Sequence, residues 1–394
     1  MTLSPWQGGR RLAVLSGGIG IAGLLLTLLG GFVWGARRAL FAYVVGYSYW
    51  IGIAIGALLL LGALHASNAR WSVVLRRFVE TVPLVVPIFV VLFVPLALGM
   101  RQLYPWSDPA RLEGELRHAV EHKAAYLNAT GFVVRAVVYF VIWIVVAVLL
   151  RGWSVRQDSA GGVTLSLWQR RLGSGSIPIV ALAMTFAAFD WMMSLDPRFY
   201  STIYGVYWFA GSFGSAFAVV IIAAYATRAD PTGFGHFMNA DHFHALGKFL
   251  LAFVAFWAYI AFSQFMLIWI ANIPEEVPWY ILRINGGWGG VAAFLALFNF
   301  FVPFFLLLQR AITRNPRRLA IAAGWILFVH WVDLYWLVMP HLDPEGPRPT
   351  LLDLSAFVGV GGVAVAWTVL RMRGTAAVPV KDPYIEDSLR YQPQ

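Results

Sequence analysis

The sequence predicts an all-α polytopic membrane protein of about ten transmembrane helices. Both termini are cytoplasmic, and the helices group as two parallel-repeat four-helix bundles plus two peripheral helices. Three observations lead there. Hydrophobic residues make up 60% of the 394 positions and charged ones only 12%, and mean hydropathy is +0.70, a balance foreign to water-soluble domains. Ten apolar runs are long enough to cross about 30 Å of hydrocarbon at about 1.5 Å of helix rise per residue. The connecting segments carry their Lys and Arg asymmetrically.

The runs lie at 12–33, 40–64, 78–100, 129–150, 177–195, 202–227, 244–272, 285–309, 318–340 and 350–370. The first follows Arg10 and Arg11 but is too long for a signal peptide and lacks an A-x-A-like cleavage site, so it reads as a retained helix. With the N-terminus inside, the inner segments hold 18 Lys and Arg and the outer segments 9, while Arg135 and Lys248 fall within helices. That bias accounts for the net charge of +10 without a basic domain, which points to the lipid bilayer and away from nucleic acid. Trp34, Trp71, Trp106, Trp153 and Trp279 stand near predicted helix ends, where an amphipathic indole is favoured.

Helices 2–5 and 6–9 share a weak repeat. Tyr49, Trp50, Gly52 and Gly56 in helix 2 match Tyr207, Trp208, Ala210 and Gly214 in helix 6. Tyr126, Asn128 and Gly131 precede helix 4, and Tyr280, Asn285 and Gly286 precede helix 8, a looser match. Asp190 and Asp333 each stand seven residues before a proline, Pro197 and Pro340. Order, direction and this spacing argue for parallel repeats, which locate the functional axis of a membrane protein. The chain therefore divides into a peripheral helix (1–39), a first bundle (40–197), a second bundle (198–341), a peripheral helix (342–373) and a polar, proline-bearing docking tail (374–394).

Within this frame most residues read as scaffold. Gly17, Gly18, Gly20 and Gly23 in helix 1, and Gly52 with Gly56, form small-residue surfaces for close helix approach. Pro83, Pro87 and Pro95 kink helix 3. After Asp108-Pro109, Leu112, Leu116 and Val120 line one face of a surface helix. Gly286, Gly287, Gly289 and Gly290 open helix 8 without the Lys-Ser/Thr of a phosphate loop and read as a helix-packing surface.

Missing residues exclude whole chemistries. With no cysteine, the chain cannot ligate an iron–sulfur cluster or attach a c-type haem. Only His330 of the eight histidines lies well inside a span, which excludes a dihaem cytochrome b. His236, Asp241, His242 and His244 cluster before helix 7, but their spacing matches no standard metal site, and the plainer reading is a loop with an N-cap at Asp241. No cofactor is expected to be bound covalently or by metal ligation, and no residue is expected to bind a metal.

A charge in hydrocarbon costs at least about 2.5 kcal/mol on insertion scales, so each buried ionisable residue is a functional candidate. Arg135, about 9 Å below the outer end of helix 4, and Asp190, about 7 Å below that of helix 5, share a depth and are expected to pair. That pair is either a structural lock or has a proton or quinol role. Asp333 has His330 one turn away and no equivalent of Arg135, with Gln264 and Asn299 as candidate neighbours, so it is expected to exchange protons. Nearer the cytoplasm lie Glu80, His244 and Lys248, read as snorkelling or capping groups. Joined together, these residues make two half-paths for protons. Glu80 and Lys248 form the inner one, and Asp333, His330, Asp190 and Arg135 the outer one, with Tyr, Ser or water between them.

One stretch is specific enough to suggest a family. Phe189-Asp190-Trp191-Met192-Met193-Ser194-Leu195-Asp196-Pro197 is followed by Tyr200-Ser201-Thr202 and Gly205-Val206-Tyr207. His122-Lys123, Tyr126-Leu127-Asn128 and the tail Val380-Lys381-Asp382-Pro383 with Ser388-Leu389 add to it. With these motifs the chain resembles the ActF-type membrane subunit, called quinone-binding subunit 2, of alternative complex III, a quinol:cytochrome c oxidoreductase, within the NrfD/PsrC-like group. The resemblance implies a bacterial inner-membrane subunit without catalysis of its own, contributing proton transfer and a quinone or quinol pocket. It also implies partners: multihaem cytochrome c subunits, an iron–sulfur subunit, a second NrfD-like subunit and, in some assemblies, a terminal oxidase. A purely structural membrane anchor and a stand-alone secondary transporter are the competing readings.

Overall fold

Ten helices of the structure are long and apolar enough to cross a membrane. They are α1 (Arg10–Trp34), α2 (Ala36–Ala66), α3 (Arg70–Leu98), α4 (Ala129–Ala160), α5 (Thr164–Leu195), α6 (Tyr204–Thr227), α7 (Ala240–Ala271), α8 (Trp288–Leu308), α9 (Pro316–His341) and α10 (Leu351–Met372). The computed structural model describes residues 4–392, and these contain no strand. The chain is an all-α, multi-pass membrane protein.

Helices α2 to α5 pack neighbour to neighbour and close in a ring, and α6 to α9 do the same. The two rings meet where α2 lies along α6. The seam is set by small residues: a Cβ at Gly56 would stand 2.7 Å from the Ser212 carbonyl oxygen, and one at Gly52 2.4 Å from the Ser212 hydroxyl. Helix α2 also touches α10 and α9, so 94% of its apolar window is buried, against 22% for α1. Helix α1 packs mainly on α10 through a second small-residue seam, where Gly20 and Gly23 abut Gly359 and Gly362.

Prolines shape α3 as the sequence suggests. The helix tightens to a 3₁₀ turn over Val82–Val85 and breaks again near Phe93. Carbonyls along the broken stretch find side-chain donors inside the protein. Leu84 accepts from the Trp367 indole (2.8 Å), Phe89 from the Tyr47 hydroxyl (3.0 Å) and Leu92 from the Tyr43 hydroxyl (2.6 Å).

Several local expectations need correction. Helices α4 and α5 run well past their apolar runs because polar turns at their ends, invisible to hydropathy, continue the helix. They meet at Gly161 and Gly162, whose φ angles of 65° and 80° make the reversal. The surface helix is short, Gly114–His122, and Leu112 lies outside it. The N-cap of α7 is Asn239, not Asp241, with the His242 ring completing a capping box. Trp106 and Trp279 are buried inside the protein and are not interface anchors. Gly286 and Gly287 accommodate the loop at Glu345–Pro347 and do not pack on a helix.

The tail docks on its own chain. Ser388 donates to the Trp71 carbonyl and accepts from the Val74 amide, Asp382 pairs with Arg76, and Lys381 reaches the Ser159 carbonyl. The N-terminal segment closes onto the same face, where the amides of Trp6 and Gly374 bond to the carbonyls of Thr375 and Trp6. Both ends of the described chain therefore lie on one side of the membrane.

The α1–α10 seam can be tested directly, because the chain has no native thiol. The Thr27 and Ser355 hydroxyl oxygens are 2.8 Å apart across it. Oxidising the Thr27→Cys, Ser355→Cys double variant is expected to link α1 to α10 in most molecules, read after proteolysis in the loops as a reducible fragment pair. A single variant is expected to give none.

Candidate functional site

The two repeat-related aspartates sit in unlike surroundings. Asp190, wholly buried on α5, faces Arg135 of α4. The guanidinium binds both carboxylate oxygens, Nη2 to Oδ1 at 2.8 Å and Nε to Oδ2 at 2.9 Å, and Tyr139 donates to Oδ2 at 2.8 Å. The remaining Arg135 nitrogen donates to the Tyr126 carbonyl, and the Tyr126 ring lies against the guanidinium at 3.8 Å. Asn128 fixes the start of α4 by accepting from the Gly131 amide at 2.7 Å. In the second repeat Asn285 does not cap α8, so the looser sequence match there has no structural counterpart. A bidentate pair whose remaining donors and acceptors are occupied by Tyr139 and the Tyr126 carbonyl has the geometry of a structural lock.

Asp333 on α9 has neutral donors instead. Tyr207 of α6 donates to Oδ1 at 2.6 Å, and the Trp257 indole of α7 donates to Oδ2 at 3.0 Å. These, and not Gln264 or Asn299, are its hydrogen-bond neighbours. Among the described residues the only basic group within 4 Å is His330, whose Nδ1 is 3.8 Å from Oδ2, too far for a hydrogen bond. His330 is itself buried and neither ring nitrogen has a protein partner. Its ring lies tilted at 33° against Tyr49 of α2 and presses on Gly211, where a Cβ would stand 2.5 Å from the imidazole. Asn299 faces His330 across a void of about 20 Å³, enough for one water.

The sequence hides one cation that belongs to this region. Arg283, counted with the outer loops, is fully buried on the short helix Val277–Ile284, stacked 3.5 Å over Trp279. It donates to the carbonyls of Trp279 and Leu337 and contacts His341 Nε2 at 2.9 Å. Burial pulls its pKa down to about 9 against the opposing pull of Tyr204, Tyr280 and Asp196. Leu337 is one turn beyond Asp333, so the charge stands about 6 Å further along α9 and forms no ion pair with that carboxylate.

On the face that carries the termini, Glu80 neither snorkels nor caps. It is 1% exposed and surrounded by three guanidiniums, with Arg76 at 3.3 Å, Arg151 at 3.4 Å and Arg77 at 3.8 Å. Asp158 binds Arg77 at 2.6 Å and Asp382 binds Arg76, so three cations meet three carboxylates. Lys248 takes no part, because its side chain is exposed on the outside of α7. The cluster before α7 disperses among separate partners: Asp241 pairs with Arg314, His244 with Thr313, and His242 with Asn239.

The structure thus brings together Arg135 with Asp190, and Asp333 with His330, but separates Lys248 from Glu80. Between the faces, Ser48 on α2 and Ser212 and Ser215 on α6 are wholly buried, with hydroxyls that have no protein partner. Ser212 and Ser215 are three residues apart on one helical face, the single sequence clue to a polar strip in this seam. No family model matches the sequence, and no curated protein matches it.

The contrast between the aspartates predicts different stabilities. Arg135→Leu strands a buried carboxylate and is expected to cost roughly 3–5 kcal/mol, seen as a large drop in the detergent unfolding midpoint, and pairing it with Asp190→Leu should restore much of that loss. Asp333→Asn keeps an acceptor for one donor and is expected to cost only about 1 kcal/mol.

Proposed function

We propose that this chain is a membrane subunit of a bacterial respiratory quinol:electron-carrier oxidoreductase of the alternative-complex-III type, in which it transfers protons and carries no redox centre. The observation that carries the reading is Asp333, a buried carboxylate held by a phenol and an indole, with an unpartnered histidine 3.8 Å away. A carboxylate without a fixed cation gains and loses a proton far more readily than one bound by arginine. The motif around Asp190 supports the family assignment, and with it the inner-membrane location and the haem, iron–sulfur and NrfD-like partners that would perform the electron transfer.

Within this reading the two aspartates divide the work. Asp190 and Arg135 hold the first bundle together, while Asp333 and His330 exchange protons with the unpartnered serines of the α2–α6 seam through water. A secondary transporter would place helix interruptions in corresponding spans of the two repeats. Here they fall in α3 and in a π-helical turn of α8, Ala296–Phe301, which do not correspond.

The test is proton uptake and release by the purified assembly in liposomes during quinol oxidation. Asp333→Asn and His330→Phe are each expected to lower it at least 10-fold while the assembly stays intact. Unchanged proton transfer in both variants would leave an anchoring role only.

A further inference from the structure

On the face that carries the termini, a small polar pocket lies where the end of α2 meets the starts of α3 and α5. His65 lines it from α2, Arg70 and Arg76 from α3, Ser166 and Arg170 from α5, and Tyr384 from the tail. The lining is rich in donors and, among the described residues, holds no carboxylate. Its enclosed volume is about 30 Å³, one water's share of the liquid.

Several of these donors have nothing to bind within the protein. His65 is 7% exposed, and its Nε2 has no hydrogen-bond partner. Arg76, equally buried, gives Nε to Glu80 and Nη2 to Asp382, which leaves Nη1 without an acceptor among the described residues. The Ser166 hydroxyl accepts from the Gln157 amide at 2.7 Å, so its own hydrogen is free to donate. Buried donors without acceptors are costly, and one anion can satisfy several of them together. At the mouth, Arg170 is exposed and forms no ion pair among the described residues. Arg70 is held beside it by the Tyr384 ring at 4.6 Å and by Asp387 at 3.1 Å, an exposed pair that solvent weakens.

We infer that this pocket binds a phosphate-type oxyanion, with one oxygen enclosed beside His65 and Arg76 and the rest of the group at the mouth by Arg70 and Arg170. Guanidiniums match the paired oxygens of such a group. Two sources fit the surroundings. Leu167 and Trp168, 47% and 51% exposed, adjoin Arg170 on α5, and basic pockets between helix ends accept lipid headgroups. Asn68, Ala69 and Arg70 also border an open groove of about 560 Å³, which gives a soluble phosphate access. Because Tyr384 lines the pocket, occupancy and docking of the tail support each other. The inference is independent of the proposed respiratory role.

The test uses the full-length chain in maltoside micelles, which carry no phosphate. Inorganic phosphate and, separately, a short-chain phosphatidylglycerol are titrated in at constant ionic strength, and the unfolding midpoint is followed. Saturable protection by at least one of them is expected. Arg170→Gln and His65→Gln should each weaken it about 10-fold, while Arg171→Gln, which removes the neighbouring charge outside the pocket, should leave it unchanged. If His65→Gln does not fold, Arg70→Gln takes its place. Protection by inorganic phosphate points to a soluble ligand, and protection by phosphatidylglycerol alone points to a lipid headgroup. The site is overturned if neither probe binds saturably, if chloride protects equally well, or if Arg170→Gln and Arg171→Gln lose binding to the same extent.

Discussion

The close approach of α2 to α6 organises everything else. Ser212 fits against Gly52 and Gly56 because those positions carry no Cβ, and the two rings of four helices share this contact as a common wall. In hydrocarbon such a seam cannot draw on the hydrophobic effect, since lipid tails are as apolar as leucine, so it depends on fit. Once α2 is enclosed on several sides, its polar groups depend on partners within the protein, and its tyrosines find them. Tyr43, Tyr47 and Tyr49 all donate to carbonyls of neighbouring helices, two of them to the proline-broken α3. A kink that would be costly alone is thus tolerated by its partner across the ring.

The same constraint explains why two related positions came to differ. A buried carboxylate needs donors, and the first bundle supplies a guanidinium while the second supplies a phenol and an indole. Charged donors fix the ionised form; neutral donors leave the protonation state responsive to its surroundings. The second bundle does contain a buried arginine, but Arg283 spends its donors on backbone carbonyls and His341. One architecture therefore holds one buried carboxylate with a cation and the other with neutral donors.

What was readable in the sequence follows from where each signal lies. The ten spans are legible because each is a local run, and the Arg135–Asp190 pair because both residues interrupt such runs at one depth. Arg283, Arg76, Arg77 and Arg151 were illegible as buried charges, since hydropathy treats a cation near a helix end as solvated. Asp382 lies 306 positions from Arg76, and nothing local announces that contact. Lys248 misled for the opposite reason: it interrupts an apolar run, yet its helical face points outward. Which side chains of α7 and α8 face one another is a matter of helix rotation that no single run encodes.

Asp382 also imposes an order on biogenesis. Arg76 enters the membrane region with α3, whereas its carboxylate partner is translated only after all ten spans. Until then the ribosome holds a molecule in which Arg76, Arg77 and Arg151 outnumber Glu80 and Asp158. The charge balance around Glu80 is thus closed only when Asp382, which follows all ten spans, folds back onto α3.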